Sequence, residues 1–310
     1  MRWFKLSARS IMALVLLAGA ALMPASARGQ IFVTTDSNAT IGEYTTSGAT
    51  VNAALVSSLD GPQDIAVSGS DLFVTNASGN TIGEYTTSGA TVNASLVTGL
   101  SEPSGITVSG SDLFVVNAGN GTIGEYTTSG ATVNTSVVSG PSNPFGLAVS
   151  GSDLFVTGNP IAGTGLIGEY TTSGATVNAS LITGLEDPGD IVVSGSNLFV
   201  TNFDSGTIGE YTTSGATLNA SLVSGLDHPQ GLAVSGSDLF VTNYYSGETN
   251  PGTVGEYTTS GGTVNASLVT GLSEPTGIAV AVPEPVTGPL LSIGAAAVLA
   301  RRPRRSRGQA

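Results

Sequence analysis

Between Ile31 and Val280 the apolar positions come in short runs rich in Val, Ile, Thr, Phe and Tyr, each cut off by Gly, Ser, Asn or Pro. Runs of roughly four to eight residues bounded by turn residues read as strands. No stretch outside the two ends shows the 3.6-residue spacing of an amphipathic helix. The runs recur as a unit. Gly-Glu-Tyr appears six times, ending at Tyr44, Tyr85, Tyr126, Tyr170, Tyr211 and Tyr257, at spacings of 41, 41, 44, 41 and 46 residues. Each triplet continues into Thr-Thr-Ser-Gly, a strand-like segment, a Gly/Pro-rich connection and a run of the Ile-Ala-Val type, and the first five go on to a turn of the Ser-Gly-Ser-Asp type and a run of the Leu-Phe-Val-Thr-Asn type.

Each unit therefore holds four strands, a to d. In the second unit they fall near Ile65–Val67, Asp71–Thr75, Thr81–Thr86 and Thr91–Val97. β-Branched and aromatic residues suit a packed, pleated surface, and the Ser-Gly corners give the backbone freedom that tight hairpins need. Four strands in a unit of about 40 residues is the pattern of a propeller blade. The chain starts at a b run, Ile31–Thr34, and its last run, Ile278–Val280, is an a. Pairing the two would complete one blade and leave no open edge. An open stack would need capping units, and the missing first a strand argues against it. The expected fold is an all-β, six-bladed propeller of four-stranded blades, its termini joined in one blade.

The ends differ in kind. A basic segment, the apolar run Ile11–Met23 and Ala25-Ser26-Ala27 follow the order of a secretory signal peptide, with cleavage expected after Ala27. At the other end, Val282-Pro283-Glu284-Pro285 precedes an apolar stretch to Ala300 and five arginines. This order of motif, hydrophobic helix and basic tail resembles the PEP-CTERM sorting domain of Gram-negative bacteria. The resemblance implies recognition of Pro-Glu-Pro by an exosortase-type membrane enzyme. The helix would then hold the chain in the inner membrane before processing. A plain C-terminal anchor is the alternative. The expected domains are a signal peptide over 1–27, a propeller over 28–281 and a sorting signal over 282–310. Within the body, Leu-Phe-Val-Thr-Asn resembles YVTN-type repeats and Pro-x-Gly-Ile-Ala-Val resembles NHL-type repeats, which implies that strand a is innermost and d outermost.

Charge narrows the function. The formal net charge is −13, and all nine Lys and Arg side chains lie at or before Arg28 or at or after Arg301. All acidic residues but Glu284 lie in the body between. A body without cations cannot neutralise phosphates, so nucleic-acid binding is excluded. With no Cys, no Lys in the body and one His, His228, thiol, Schiff-base and multi-histidine metal chemistry are excluded too.

Alternating strands put the b–c loops and d–a connections on one face, and nearly all variation between copies falls there. The residue before strand a is Asp64, Gly105, Gly146, Asp190, Gly231 and Gly277. Asp64 and Asp190, three blades apart, should face each other across the channel mouth. A hard cation such as Ca²⁺ is what this pair would take, although two carboxylates fall short of the roughly six to eight oxygens it prefers. Solvated rim residues are the other reading, and no further cofactor is expected. The six Gly-Glu-Tyr glutamates read as structural acceptors for Thr or backbone groups, the tyrosines as packing between blades, and His228 as a rim residue.

The combined expectation is an exported surface or matrix protein, monomeric and non-enzymatic. It would bind an extracellular polysaccharide or a surface protein. No catalytic residue is assigned. A metal-dependent lactonase-like or other hydrolase propeller and a purely structural repeat coat remain open alternatives. Resemblance to gluconolactonase propellers would imply a metal deep in the channel, whereas the inner strands here are aliphatic apart from Asp64 and Asp190.

Overall fold

The computed structural model of the chain describes residues 29–139, 143–159, 164–245 and 251–282. The segments read as a signal peptide, with Ala25 and Ala27, and as a sorting tail from Pro283 through Glu284 and Pro285 lie outside them. Val282 is the last residue described.

Six four-stranded antiparallel sheets make up the body. The first blade holds β1 (Gln30–Thr35), β2 (Thr40–Thr45) and β3 (Thr50–Ser57). The second holds β4 (Pro62–Ser68), β5 (Asp71–Asn76), β6 (Thr81–Thr86) and β7 (Thr91–Thr98). The third runs from β8 (Pro103–Ser109) to β11 (Thr132–Ser139), the fourth from β12 (Pro144–Ser150) to β15 (Thr176–Leu185). The fifth runs from β16 (Pro188–Ser194) to β19 (Thr217–Ser224), the sixth from β20 (Pro229–Ser235) to β23 (Thr263–Leu272). The last strand, β24 (Pro275–Ala281), returns to the first blade. It pairs Ile278 with Val33, Ala279 with Phe32 and Val280 with Ile31, as the strand count requires. The inner strands then neighbour one another all the way round, β24 lying against β4.

Inner strands are longer than their Ile-Ala-Val cores suggest, because each begins at a Pro three residues earlier. Proline is tolerated at the first position of a strand, and a register shift between Pro62 and Ile65 absorbs the misfit.

The core lies between blades. Phe32 of the first blade is fully buried among Ile65, Leu72, Val74 and Tyr85 of the second. The same wedge recurs around the ring and closes where Phe240 meets Ile31, Val33 and Tyr44. The Gly-Glu-Tyr triplet follows from this packing. In β6 the Tyr85 ring folds back over Gly83, where a Cβ would sit 2.8 Å from ring and hydroxyl atoms. Only glycine leaves room for the ring two residues on. The tyrosines pack between blades as the sequence predicts, and the Tyr126 hydroxyl also bonds Asn117.

One hydroxyl crosses each seam. Thr75 donates to the Ser104 carbonyl at 2.6 Å, Thr157 to Gly189 at 2.6 Å, Thr201 to Gln230 at 2.8 Å and Thr242 to Thr276 at 2.7 Å. Thr276 donates to Pro62 at 3.0 Å. In the third blade Val116 stands where the others carry Thr, and Ser104 crosses instead, donating to Phe145 at 3.0 Å.

Thr157 also accepts the Gly146 N–H at 2.8 Å. Thr157→Val keeps the shape but strands both buried partners, so it should cost about 2 kcal/mol in urea denaturation. Val116→Thr, where Ser104 already bridges the seam, should change stability far less.

Candidate functional site

The d–a connections enter the inner strands through a corner repeated in every blade. The residue before the Pro is Gly61, Glu102, Asn143, Asp187, His228 or Glu274. All six have positive φ, at 70°, 46°, 45°, 51°, 50° and 50° respectively. The neighbouring b–c loop fixes the corner, since its N–H donates to the corner carbonyl. Ala77 bonds Gly61 at 2.8 Å, Ala118 bonds Glu102 at 3.2 Å and Asn159 bonds Asn143 at 3.2 Å. Phe203 bonds Asp187 at 2.9 Å, Tyr244 bonds His228 at 3.0 Å and Asp36 bonds Glu274 at 3.0 Å. Glycine adopts this conformation without steric cost, and Gly61 does so. A side chain there is strained, least so for Asn and Asp. Five blades nonetheless hold two Glu, one Asp, one Asn and one His, forming a crown on the face of the varied loops.

The crown and the loops above it enclose a cleft of about 510 Å³ over the third to sixth blades, lined by Glu102, Asn143, Phe145, Asp187, Phe203 and Gln230 among others. Asn143 Nδ2 donates to the Asn159 carbonyl at 3.0 Å, and Asn159 Nδ2 to Asp187 Oδ1 at 2.6 Å. On the far side of Phe203 the His228 ring lies 4.7 Å away, tilted by 56°. His228 Nδ1 lies 2.8 Å from Asp227 Oδ1, both side chains about half exposed. Next round, Ser37 donates to Glu274 Oε2. Tyr244 bonds Glu274 as well, and burial, then the charges of Glu274 and Asp36, raise its pKa. Burial, then Glu274, raises Asp36.

Asp64 and Asp190 sit deeper than a rim. Because the inner strands begin at Pro, both lie inside the strand, at a neck where the channel narrows to about 10 Å³, the space of one water. Asp64 Oδ1 accepts its neighbour Ile65 N–H at 2.8 Å, and Oδ2 accepts Ile106 N–H of the third blade at 2.9 Å. Asp190 repeats this with Ile191 at 2.8 Å and Leu232 of the sixth blade at 2.9 Å. Each carboxylate thus ties two blades together. The other blades have Gly here, and a Cβ on Gly277 would lie 2.5 Å from Asp64 Cα. Below the neck the channel opens to about 340 Å³, lined by the inner strands with their Ile, Leu, Val and Ala residues and by Thr107. Among the described residues no three His, Cys, Asp or Glu gather as a metal site.

The Gly-Glu-Tyr glutamates meet different partners from those expected. In four blades the neighbour is an Asp opening strand b. Burial first, then the charges of Asp71, Asp112, Asp153 and Asp238, raise Glu84, Glu125, Glu169 and Glu256. Amides replace that Asp in two blades, where Gln30 donates to Glu43 and Asn197 to Glu210. The period of two puts these residues on one side of the sheet, so the acids meet each other rather than Thr.

Burial pushes Asp64 up to about 6 although two N–H groups oppose it, and burial together with the Asp64 charge pushes Asp190 well up. The folded chain therefore holds protons that the unfolded chain releases. This stabilisation is complete below pH ~4 and is lost as pH rises through about 6. Melting temperatures should fall between pH 5 and pH 8, and Asp64→Asn should flatten the fall.

Solved structures show the same architecture. A chain of a nidogen/laminin complex superposes with a TM-score of 0.67 at 14% identity, covering 83% of this chain and 99% of that one. A gluconolactonase from Xanthomonas campestris gives 0.61 at 14%, covering 80% and 87%. A catalytically inactive histidine-to-alanine virginiamycin B lyase from Staphylococcus aureus, with quinupristin, gives 0.58 at 19%, covering 84% and 94%. At these identities the likeness is one of fold alone. No curated protein matches the sequence. The model of the virginiamycin B lyase family matches residues 15–248, three quarters of the chain, and the protein belongs to that family.

Proposed function

We propose that the chain is an exported, non-enzymatic binding protein of the cell surface or extracellular matrix that holds its ligand on the crown face. The observation that carries this is the crown itself. Five polar side chains, all different from the Gly61 solution, occupy positive-φ corners on the varied face. Strain kept at surface positions points to what the side chains do, because folding alone would favour glycine. An extracellular polysaccharide or a surface protein is the class of partner, and the protein acts as a monomer. The tail from Val282 supports sorting through an exosortase-type enzyme, with the apolar stretch as the membrane intermediate.

Family membership favours a second reading, a lyase. His228 is the only imidazole of the chain, and Asp227 lies 2.8 Å from it. A metal-dependent hydrolase has less support, since each oxygen of Asp64 and Asp190 already accepts an N–H.

Replacing the five crown side chains with Gly relieves about 1–2 kcal/mol of strain at each corner. It adds back about 0.5–1 kcal/mol of chain entropy at each. The strain relieved offsets the lost side-chain hydrogen bonds of Asn143, Asp187 and Glu274, so the variant should stay folded, while retention of the protein at the cell surface is lost. Retention unchanged in a folded variant would sink the binding reading. Quinupristin incubated with the protein should remain intact; ring opening that disappears in His228→Ala would establish the lyase instead. Alanine at Pro283, Glu284 and Pro285 should leave the protein in the inner-membrane fraction, and normal sorting of that variant would refute the tail assignment.

A further inference from the structure

We propose that the cleft between Phe145 and Phe203 is a binding site for a small alkylammonium ligand, which rests on reading the crown face as a binding face. The polar lining is rich in acceptors and poor in donors. Glu102 and Asp187 contribute carboxylates. Gln230 contributes an amide oxygen that is buried and has no hydrogen-bond partner among the described residues. One N–H of Asn143 and one of Asn159 are engaged within the protein at 3.0 and 2.6 Å, and the remaining amide N–H groups are neutral. A ligand that answers the two carboxylates brings its own donors or its own positive charge.

Charge settles which. From Gly29 to Ala300 the chain has no Lys and no Arg, so no cationic side chain of the body competes for these carboxylates, and the surrounding field attracts cations. The apolar part of the lining, Phe145 and Phe203 with Pro144, Pro188 and Ala118, suits an organic cation. Aromatic faces are electron-rich and attract ammonium groups, most of all when water is excluded. A bare metal ion would leave most of the 510 Å³ empty, and among the described residues no three carboxylates converge to hold it. An anion would meet Glu102 and Asp187.

The test is calorimetric titration of the purified protein with choline and with its uncharged isostere 3,3-dimethyl-1-butanol. Choline should bind saturably and weaken as NaCl is raised, and the isostere should not bind. Phe203→Ala should weaken choline about tenfold, within the range of one cation–π contact. Asp187→Asn, which leaves the aromatic walls in place, should weaken it comparably. Ser88→Ala, in a Thr-Thr-Ser-Gly turn on the opposite face, should leave it unchanged. Equal binding of choline and isostere, no binding of choline, or full affinity in both Phe203→Ala and Asp187→Asn would overturn the proposal. If choline fails to bind while the all-glycine crown still loses surface retention, only the ligand class falls and the binding face stands.

Discussion

Each seam of this ring is crossed by one buried hydroxyl that donates to a carbonyl of the next blade. The bond is small in energy but it sits where the inner strands crowd together and water is scarce. An unmade partner there is costly, so the position is constrained even when the residue is not. The third blade demonstrates it: Val116 removes the usual donor, and Ser104 supplies one from a different strand. The Phe wedges are the largest fully buried side chains. The hydroxyls fix the angle at which one wedge meets the next, and with it the spacing of everything above the neck.

That fixed spacing is what gives the crown its character. The same carbonyl-to-loop bond holds each corner, so the backbone is the same in every blade and the side chains differ alone. A Glu, Asn, Asp or His is thereby presented at a set height and distance from the axis, without a helix or a long loop to carry it. The opposite face, with its repeated Ser-Gly-Ser-Asp and Thr-Thr-Ser-Gly turns, shows no such differentiation. Two carboxylates break the six-fold pattern at the neck. They join the second blade to the third and the fifth to the sixth, giving the ring a two-fold aspect that the repeats lack.

Much of the architecture was legible because one unit recurs, and a run misread in one copy is corrected by the others. Blade number, strand order and the joining of the termini follow from counting runs. The site was less legible. A residue before Pro is ordinarily extended, so nothing in Glu102-Pro103 or His228-Pro229 announces a left-handed corner. Asn143 was invisible for the same reason. Asp64 and Asp190 were recognisable as a pair facing each other, yet their depth was not, because the inner strand starts at Pro62 and Pro188 rather than at the Ile that follows. The partner of each Gly-Glu-Tyr glutamate depends on a residue in another strand, which no local pattern specifies.

The pairing of β1 with β24 has a consequence in time as well as in space. Strand β1 is completed by β24, more than two hundred residues later in the chain. Closing so long a segment carries a large entropic cost that no local contact repays, which places ring closure late in folding. Until then β1 exposes one unpaired edge, and so does any chain that stops short of Pro275. The first blade therefore reports on ring closure: β1 is hidden only once β24 has been made and has docked.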